Sequence, residues 1–496
     1  MSLIYFFGGW AKITVILSAS LPLLMSSPPK ALQHSAPKEL FSAQRAYDHV
    51  RRVAQTPHSI GTPAHAKVRD YIMDECSRLK LQTGIQHTTA TRTLGGRIMA
   101  GNIHNIIASI KGRVGEKAIV LMAHYDSQPH TPGAGDDGAG VAALLETARL
   151  LKESKPLKND VILLFTDGEE VGLLGAQAFV TESKLLSKVA LVINLEGRGN
   201  TGVSTMFEVN PENGWIMMEY ANGAAYPMAN SLSFEIYKKL PNDTDYSIFK
   251  EAGIAGLNHA FIEGFANYHS MTDTPDNLNL NSLQHHGENM VSLVKHFGNI
   301  DLVQTKGADR SYFNILGSWL VQYPGSWNFL FVVIGNVLTI TILCTGLIKK
   351  RTHIKGVLAG FTFFPLLILL SSLIIMLFLK AIKWYYPLYN NFYAANSYNC
   401  YYYFFAIISL GIAIYVLPLA WVCKKFSIDS ILTGILVVVT IILTALYQVA
   451  PTASYIVFLP LVSIGCAHLI VILKNLDYAL QPRPYEALFF LGALPS

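Results

Sequence analysis

This 496-residue chain has little charge and little cysteine, and each shortage excludes a class of protein. Only 14% of its residues are charged whereas 51% are hydrophobic, which is too apolar for a purely soluble protein. The net charge of +5 is modest and no basic patch is interleaved with aromatic residues, which argues against a nucleic-acid partner. Of the five cysteines only Cys76 lies before the apolar last third, so that earlier part cannot contain an internal disulfide. It must be stabilised by its core, with or without bound metal.

Long apolar runs are concentrated after Trp327. Five stretches are each about long enough to cross a bilayer: 327–348, 356–379, 400–422, 430–449 and 453–473. Lysine and arginine are concentrated in alternate gaps, although the gap at 380–399 carries Lys380 and Lys383 among aromatic residues. Placing the positive gaps in the cytoplasm puts residues 30–326 on the opposite side. We therefore predict a linker at 311–326 and an all-α polytopic transmembrane domain at 327–496. A last apolar run, 485–496, starts and stops abruptly, which is compatible with a truncated or interfacial end.

Residues 1–29 are predicted to form a signal anchor or a signal peptide. The run from Ile13 to Met25 is short for a span and follows Lys12, as in a signal peptide, but no convincing cleavage site comes after it. From Leu3 onward the segment is long enough to span, which favours an uncleaved anchor. In both cases the next domain is expected outside the cytoplasm, in the periplasm or exterior or in an organelle lumen.

Residues 30–310 alternate apolar strands with helical patterns. The predicted strands and helices are these: strands at 102–111, 118–124, 161–166 and 190–196; helices at 41–54, 64–80, from Val141, after Gly172 and near 213–224. Such alternation predicts an α/β domain in which helices cover both faces of a mostly parallel, mixed sheet.

Acidic and histidine side chains follow the predicted strands. They are His124, Asp126, Asp136 and Asp137 after one strand, Glu169 and Glu170 after another, Glu196 at the end of a third, and His269 in a later polar loop. Ligands of open α/β sheets bind beyond the carboxyl ends of the strands. Carboxylates buried together need cations to neutralise them, and a mixed nitrogen and oxygen set suits a pair of divalent metals bridged by one carboxylate.

Each of these residues also has a simpler interpretation. Glu169 and Glu170 could be a solvated helix start, Glu196 a surface charge, and His269 an ordinary polar histidine. The glycine-rich loop around Asp136 could hold a phosphate, but no GK[ST] follows it. The metal interpretation is favoured because all of these residues occur together at strand ends.

The motifs AHYDS, GAGDDGAG, TDGEEVGLLGA, NLEGRGNTG and YHSMTDTPDN, in this order, resemble the zinc aminopeptidase family of aminopeptidase Y and the bacterial leucyl aminopeptidases. NLEGRGNTG, PNDTDYSIF and the apolar C-terminal part are more similar to its multi-pass membrane branch, the vacuolar membrane proteases and endoplasmic-reticulum metallopeptidases. The resemblance covers about residues 40–300. It implies a zinc exopeptidase-like fold, two Zn²⁺ ions, and peptide or protein N-termini as substrate.

The resemblance also implies a role for each residue. The metal ligands would be His124 and Glu196 at one ion, Glu170 and His269 at the other, and Asp136 between the two. Glu169 would be the general base and later the acid, and Asp126 would orient His124. Secreted members carry Asp at the position of Glu196, whereas the membrane branch uses Glu.

Other implied features are less specific. A cis peptide bond would fall at Asp136–Asp137 and leave Asp137 a shaping role. Tyr246 and Tyr268 are candidates for an oxyanion-stabilising tyrosine. Arg198 would meet a substrate carboxylate or, as we favour, pair with a neighbouring acid.

Three other functions remain as alternatives. A glutaminyl-cyclase-like zinc enzyme would use one metal, and a catalytically inactive receptor or scaffold ectodomain would be expected to have lost ligands. A transporter is disfavoured because the spans hold few ionisable residues apart from His468.

Overall fold

The computed structural model describes residues 26–391 and 399–476. These residues belong to two compact units, Ser26–Pro324 and the part from Gly325 onward, which we describe separately. The predicted N-terminal anchor, up to residue 25, and the apolar run at 485–496 lie outside the described residues.

The first unit is built on a seven-stranded mixed sheet. Its strands are β1 (Gln82–Leu94), β2 (Arg97–Ile110), β3 (Ala118–His124), β4 (Asp160–Thr166), β5 (Val189–Gly197), β6 (Thr205–Val209) and β7 (Ala255–Phe261). They are ordered β1-β2-β4-β3-β5-β7-β6. The four central strands, β4, β3, β5 and β7, are mutually parallel, whereas β1, β2 and β6 pair antiparallel at the edges. The predicted fold class is therefore confirmed.

Helices cover both faces of this sheet. They are α1 (Ala43–Val53), α2 (Pro63–Arg78), α3 (Ala139–Glu153), α4 (Leu174–Glu182), α5 (Gly214–Gly223), α6 (Ser231–Tyr237), α7 (Asp245–Glu251) and α8 (Leu280–Phe297). Successive side chains of a strand point to opposite faces. In β3, Ile119 and Leu121 pack into one apolar cluster while Val120 and Met122 pack into another. Because both faces of the strand are buried, its sequence is almost continuously apolar.

Two parts of the first unit differ from the expectation. The stretch at 311–326, which we predicted as a linker, contains an antiparallel pair, β8 (Arg310–Asn314) and β9 (Leu320–Pro324), with Tyr312 fully buried. The long strand β1 was not predicted, because it is an edge strand that is rich in threonine and mostly exposed.

The second unit contains the predicted apolar helices. They are α9 (Trp327–Ile348), α10 (Ile354–Tyr385), α11 (Cys400–Val422), α12 (Ile428–Val449) and α13 (Tyr455–Leu473). In the described part of the chain, five helical segments are long and apolar enough to cross a membrane. A polar contact joins two of them, because Thr339 Oγ1 of α9 lies 2.7 Å from Thr440 Oγ1 of α12. In addition, Arg351 in the turn between α9 and α10 donates from Nε to Asp429 Oδ2 of α12 at 2.7 Å. Interhelical hydrogen bonds of this kind stabilise packing between apolar helices.

Candidate metal centre

Three neighbouring parallel strands bring the predicted site residues to one edge of the sheet. β3 ends at His124, the loop after β4 carries Glu169 and Glu170, and β5 carries Glu196 next to its last residue. All three strands are fully buried along their length. Because the carboxyl ends of parallel strands lie on the same side, their polar ends meet in one place.

These residues form two groups of potential metal ligands that share Asp136. His124, Asp136 and Glu196 make up the first group, and Asp136, Glu170 and His269 the second; within each group the donor atoms lie within 4.8 Å of one another. Asp136 Oδ1 is 3.1 Å from His124 Nε2, and Asp136 Oδ2 is 3.1 Å from His269 Nε2. Each oxygen of this carboxylate therefore faces a different histidine, as in a bridging ligand.

The spacing of the donors fits zinc. Bonds of about 2.1 Å at tetrahedral angles place two ligand atoms about 3.4 Å apart. The His124 Nε2–Glu196 Oε2 distance is 3.8 Å and the His269 Nε2–Glu170 Oε2 distance is 3.3 Å. His269 Nε2 and Glu170 Oε1 are also buried without a hydrogen bond. The first site would be held by His124, Asp136 and Glu196, and the second by Asp136, Glu170 and His269.

Electrostatics also indicate a cation at this edge of the sheet. Burial, together with neighbouring Asp136, raises the pKa of Glu196 to about 8, although His124 acts in the opposite direction. Burial likewise raises the pKa of Glu169 well above its usual range, and that of Glu170 to a smaller extent. Carboxylates crowded in a low-dielectric site remain ionised only when positive charge balances them.

His269 reaches the site from a loop with an unusual backbone. Its φ of 50° lies in the left-handed region, which non-glycine residues rarely adopt. Its ring stacks on that of Tyr268, with the ring centroids 3.8 Å apart. Such strain persists only where the surroundings enforce it, which is typical of functional sites.

Asp126 contacts both His124 and the loop that carries Glu169. His124 Nδ1 donates to the backbone carbonyl of Asp126 at 2.9 Å, and the carboxylate Oδ1 lies farther away, at 3.5 Å. The same carboxylate accepts hydrogen bonds from the backbone N–H groups of Glu169 and Glu170, at 3.1 and 3.2 Å. Through its backbone carbonyl and its carboxylate, this one buried residue thus fixes two of the converging strand ends relative to each other.

Asp273 is a buried site residue that the sequence did not single out. Its Oδ1 accepts from the N–H of Gly135 at 2.8 Å, and its Oδ2 accepts from the N–H of Asp136 at 3.2 Å. It therefore fixes the backbone of the shared carboxylate. Asp273 lies four residues after His269 in the motif YHSMTDTPDN, so its place in that motif was the available signal.

Two amides also orient candidate ligands. Gln128 Nε2 donates to Glu170 Oε2 at 2.7 Å, and Asn194 Nδ2 donates to Glu196 Oε1 at 3.1 Å. Asn194 lies two residues before Glu196 on β5, so the two side chains share one face of the strand. Outer hydrogen bonds of this kind fix the orientation of metal ligands.

Asp137 belongs to neither donor group. Its Oδ1 accepts from the N–H of Gly140 at 3.0 Å, at the start of α3. The peptide bond between Asp136 and Asp137 is cis, as the family resemblance implied.

The two candidate tyrosines lie in different surroundings. Tyr246 is fully buried and packs with Val120 and Met122 in an apolar cluster. Burial raises the pKa of Tyr268, and Asp136 raises it further, which shows that its phenol lies beside the metal-ligand groups. Tyr237, which the sequence did not indicate, also has a buried hydroxyl without a partner near acidic groups that include Glu196.

The domain combines a mixed sheet whose central strands are parallel with two donor groups that share a carboxylate. This combination defines a metallopeptidase-like domain. Residues 105–294 match the family described as Peptidase family M28. The match assigns this part of the chain to the peptidase family, and the relatives confirm the suspected membrane branch.

The relatives are membrane metallopeptidases and proteases. Endoplasmic reticulum metallopeptidase 1 of Homo sapiens is 30% identical over 324 residues, covering 60% of this chain and 36% of that protein. The Mus musculus protein of the same name is 28% identical, covering 63% and 37%. The vacuolar membrane protease of Candida tropicalis is 29% identical, covering 66% and 37%. The chain thus spans little more than a third of the length of these relatives.

Solved structures align with about half of the chain. Glutaminyl cyclase of Porphyromonas gingivalis aligns with a TM-score of 0.43 and 24% identity, covering 52% of this chain and 99% of that one. BSAP, a zinc aminopeptidase of Bacillus subtilis, aligns with a TM-score of 0.42 and 18% identity, covering 54% and 97%.

Proposed function

We propose that this chain is a membrane-anchored aminopeptidase that uses two Zn²⁺ ions to hydrolyse N-terminal peptide bonds. The observation that carries the proposal is the position of Asp136, whose two oxygens each lie 3.1 Å from a different histidine. A single-metal enzyme has no need for a carboxylate placed between two complete donor groups.

The residues divide the chemistry between them. Two bound zinc ions would polarise the scissile carbonyl and lower the pKa of the attacking water. Glu169 lies next to the candidate ligand Glu170 but belongs to neither donor group, so its carboxylate is free to accept a proton from the water and pass it to the leaving amine. Asp126 orients this base by holding the backbone N–H of Glu169.

The acidic character of the site supports exopeptidase specificity. Apart from the ligands, the buried carboxylate of Asp245 also lies near enough to raise the pKa of Glu169 and of Glu196. A site rich in carboxylates favours the ammonium group of a peptide N-terminus over a blocked one.

The distribution of positive charge supports an exoplasmic or lumenal peptidase domain. Basic residues cluster at one set of helix ends: Lys349, Lys350, Arg351, Lys355, Lys424, Lys425 and Lys474. The opposite end of α10 carries two, Lys380 and Lys383. If the first set of helix ends faces the cytoplasm, residues 26–324 lie across the membrane. Protease added to sealed vesicles should then spare the peptidase domain; its cleavage before detergent is added would refute this orientation.

The function is tested by replacing the proposed base. Glu169→Gln should reduce kcat on leucine amide about 1,000-fold, because general acid–base catalysis contributes about that much, while leaving zinc content unchanged. Glu116→Gln, at an exposed site, is the matched control. Retained activity in Glu169→Gln would refute the role of the base. The assignment as an aminopeptidase would be refuted by turnover of N-terminally blocked peptides. It would also be refuted by cyclisation of N-terminal glutamine by a chain that binds one zinc ion.

A further inference from the structure

Arg198 is positioned by the strand that also carries a candidate metal ligand. β5 ends at Gly197, which pairs with Phe261 of β7, and the N–H of Arg198 donates to the Phe261 carbonyl at 3.1 Å. Arg198 itself lies at the start of a bend that follows the strand. It is two residues beyond Glu196, at the same end of the sheet.

Aromatic rings hold the guanidinium group beside the site. Its Cζ lies 5.6 Å from the ring centre of Phe265 and 6.0 Å from that of Tyr268. The ring of Tyr268 in turn stacks on His269, a candidate ligand. One aromatic ring therefore contacts both the cation and a candidate metal ligand. A guanidinium group stacked in this way keeps its N–H groups available at its edge.

The charge of Arg198 is not balanced by any described residue. With the amide of Asn242 oriented so that its oxygen faces the guanidinium group, that oxygen accepts from Nη1 at 2.6 Å and from Nη2 at 2.7 Å. Arginine has five N–H donors, so most remain free. Among the described residues no carboxylate pairs with Arg198, although the same unit pairs Arg45, Arg92 and Arg149 with acids. Our expectation that Arg198 pairs with a neighbouring acid is therefore wrong.

We propose that Arg198 binds a substrate carboxylate on the leaving-group side of the scissile bond, and that dipeptides and other peptides with a carboxylate at this position are the preferred substrates. The inference rests on the proposed function and deepens it. The acidic groups outside the ligand sets, Glu169 and Asp245, suit the ammonium end of a short peptide, and Arg198 supplies the opposite charge at the other end. Planar, bidentate recognition of a carboxylate is what a guanidinium group does best.

The test compares substrates that differ only in that carboxylate. The full-length chain should hydrolyse leucylglycine about 10- to 100-fold better, in kcat/KM, than leucylglycine amide, the range expected for a charge-assisted hydrogen bond. Most of the difference should lie in KM. Arg198→Gln should reduce this ratio to near one, Arg198→Lys should restore part of it, and the exposed Arg113→Gln should leave it unchanged.

A second pair of substrates distinguishes the two sources of the carboxylate. Leucylaspartate amide and leucylasparagine amide differ only in a side-chain charge. Preference for the aspartate would show that a side chain can supply the group, whereas preference confined to free dipeptides would assign it to the C-terminus. If Arg198→Gln lowers every rate equally and preserves the ratios between the paired substrates, Arg198 only stabilises the loop that carries Asn242, and the inference is wrong.

Binding separates failure of this inference from failure of the proposed function. Calorimetry of leucylglycine and its amide on zinc-loaded Glu169→Gln chain needs no turnover. Tighter binding of the free acid that is lost in the Arg198→Gln, Glu169→Gln double variant supports the inference even if the wild type hydrolyses neither peptide. Equal binding of the two ligands refutes it, whatever the wild type hydrolyses.

Discussion

No residue with a Cβ should fit at position 197 without moving its neighbours, because the loop carrying Asp136 packs directly on the backbone of Gly197. A Cβ at Gly197 would overlap the carbonyl oxygen of Gly135 and would lie 3.1 Å from the Asp136 nitrogen. To reach ordinary contact, the loop and β5 must separate by about 1.5 Å. The first donor group spans this junction, with Asp136 on the loop and Glu196 on the strand, whereas the second group includes no residue of β5.

Gly197→Ala is therefore expected to weaken the first metal site more than the second, because two ligands of the first are moved apart whereas the second has only Asp136 at this junction. A misplacement of about 1 Å costs about 100-fold in rate, so kcat/KM on leucine amide should fall by about that factor. Zinc measured on the purified full-length chain should drop from two ions toward one. The control is Gly84→Ala on β1, where an added Cβ meets nothing within 4 Å. A Gly197→Ala chain that keeps two zinc ions and full activity would refute the reasoning. The reasoning would also be refuted if both ions were lost because the chain unfolds, which circular dichroism would detect.

Two further changes probe buried side chains. In Asp273→Asn, an NH2 group replaces one of the two side-chain oxygens that accept backbone N–H groups, so two donors face each other. The change should destabilise the peptidase domain by about 1–3 kcal/mol and weaken zinc binding in a chelator titration. The exposed Asp276→Asn should do neither. Burial lowers the pKa of His285 from 6.5 to about 4, so the unfolded chain takes up a proton first as the pH falls. Unfolding free energy should therefore decrease between pH 6.5 and 4 by about 3 kcal/mol on account of this ring. Denaturant titrations of His285→Asn, which keeps an acceptor for the N–H of Ser204, should show a decrease smaller by that amount; an identical pH profile would contradict the assignment.

The central part of the fold could be predicted because its strands are buried on both faces. β3 and β4 read as continuous apolar runs, and their polar ends fall at the same edge of the sheet in any parallel arrangement. That is why His124 and Glu170, 46 residues apart in the sequence, could be assigned to one site from the sequence alone.

The remainder depended on tertiary contacts that no local pattern records. Asp273 contributes through hydrogen bonds to the backbone of a loop 137 residues away, and Gln128 through one bond to Glu170. β1 is mostly polar and exposed, so it lacks an apolar signal. Arg198 was assigned to the wrong partner because sequence spacing cannot show which charges remain unpaired after folding.

Zinc stoichiometry tests the central claim most directly, because the account depends on one carboxylate serving two ions. Full-length chain loaded with zinc and dialysed against metal-free buffer should retain two ions per chain. Asp136→Asn should weaken both sites together, since Asp136 is the one residue common to both donor groups. A wild-type chain that saturates with one zinc, or an Asp136→Asn chain that loses only one ion while the other binds as tightly as before, would contradict the account.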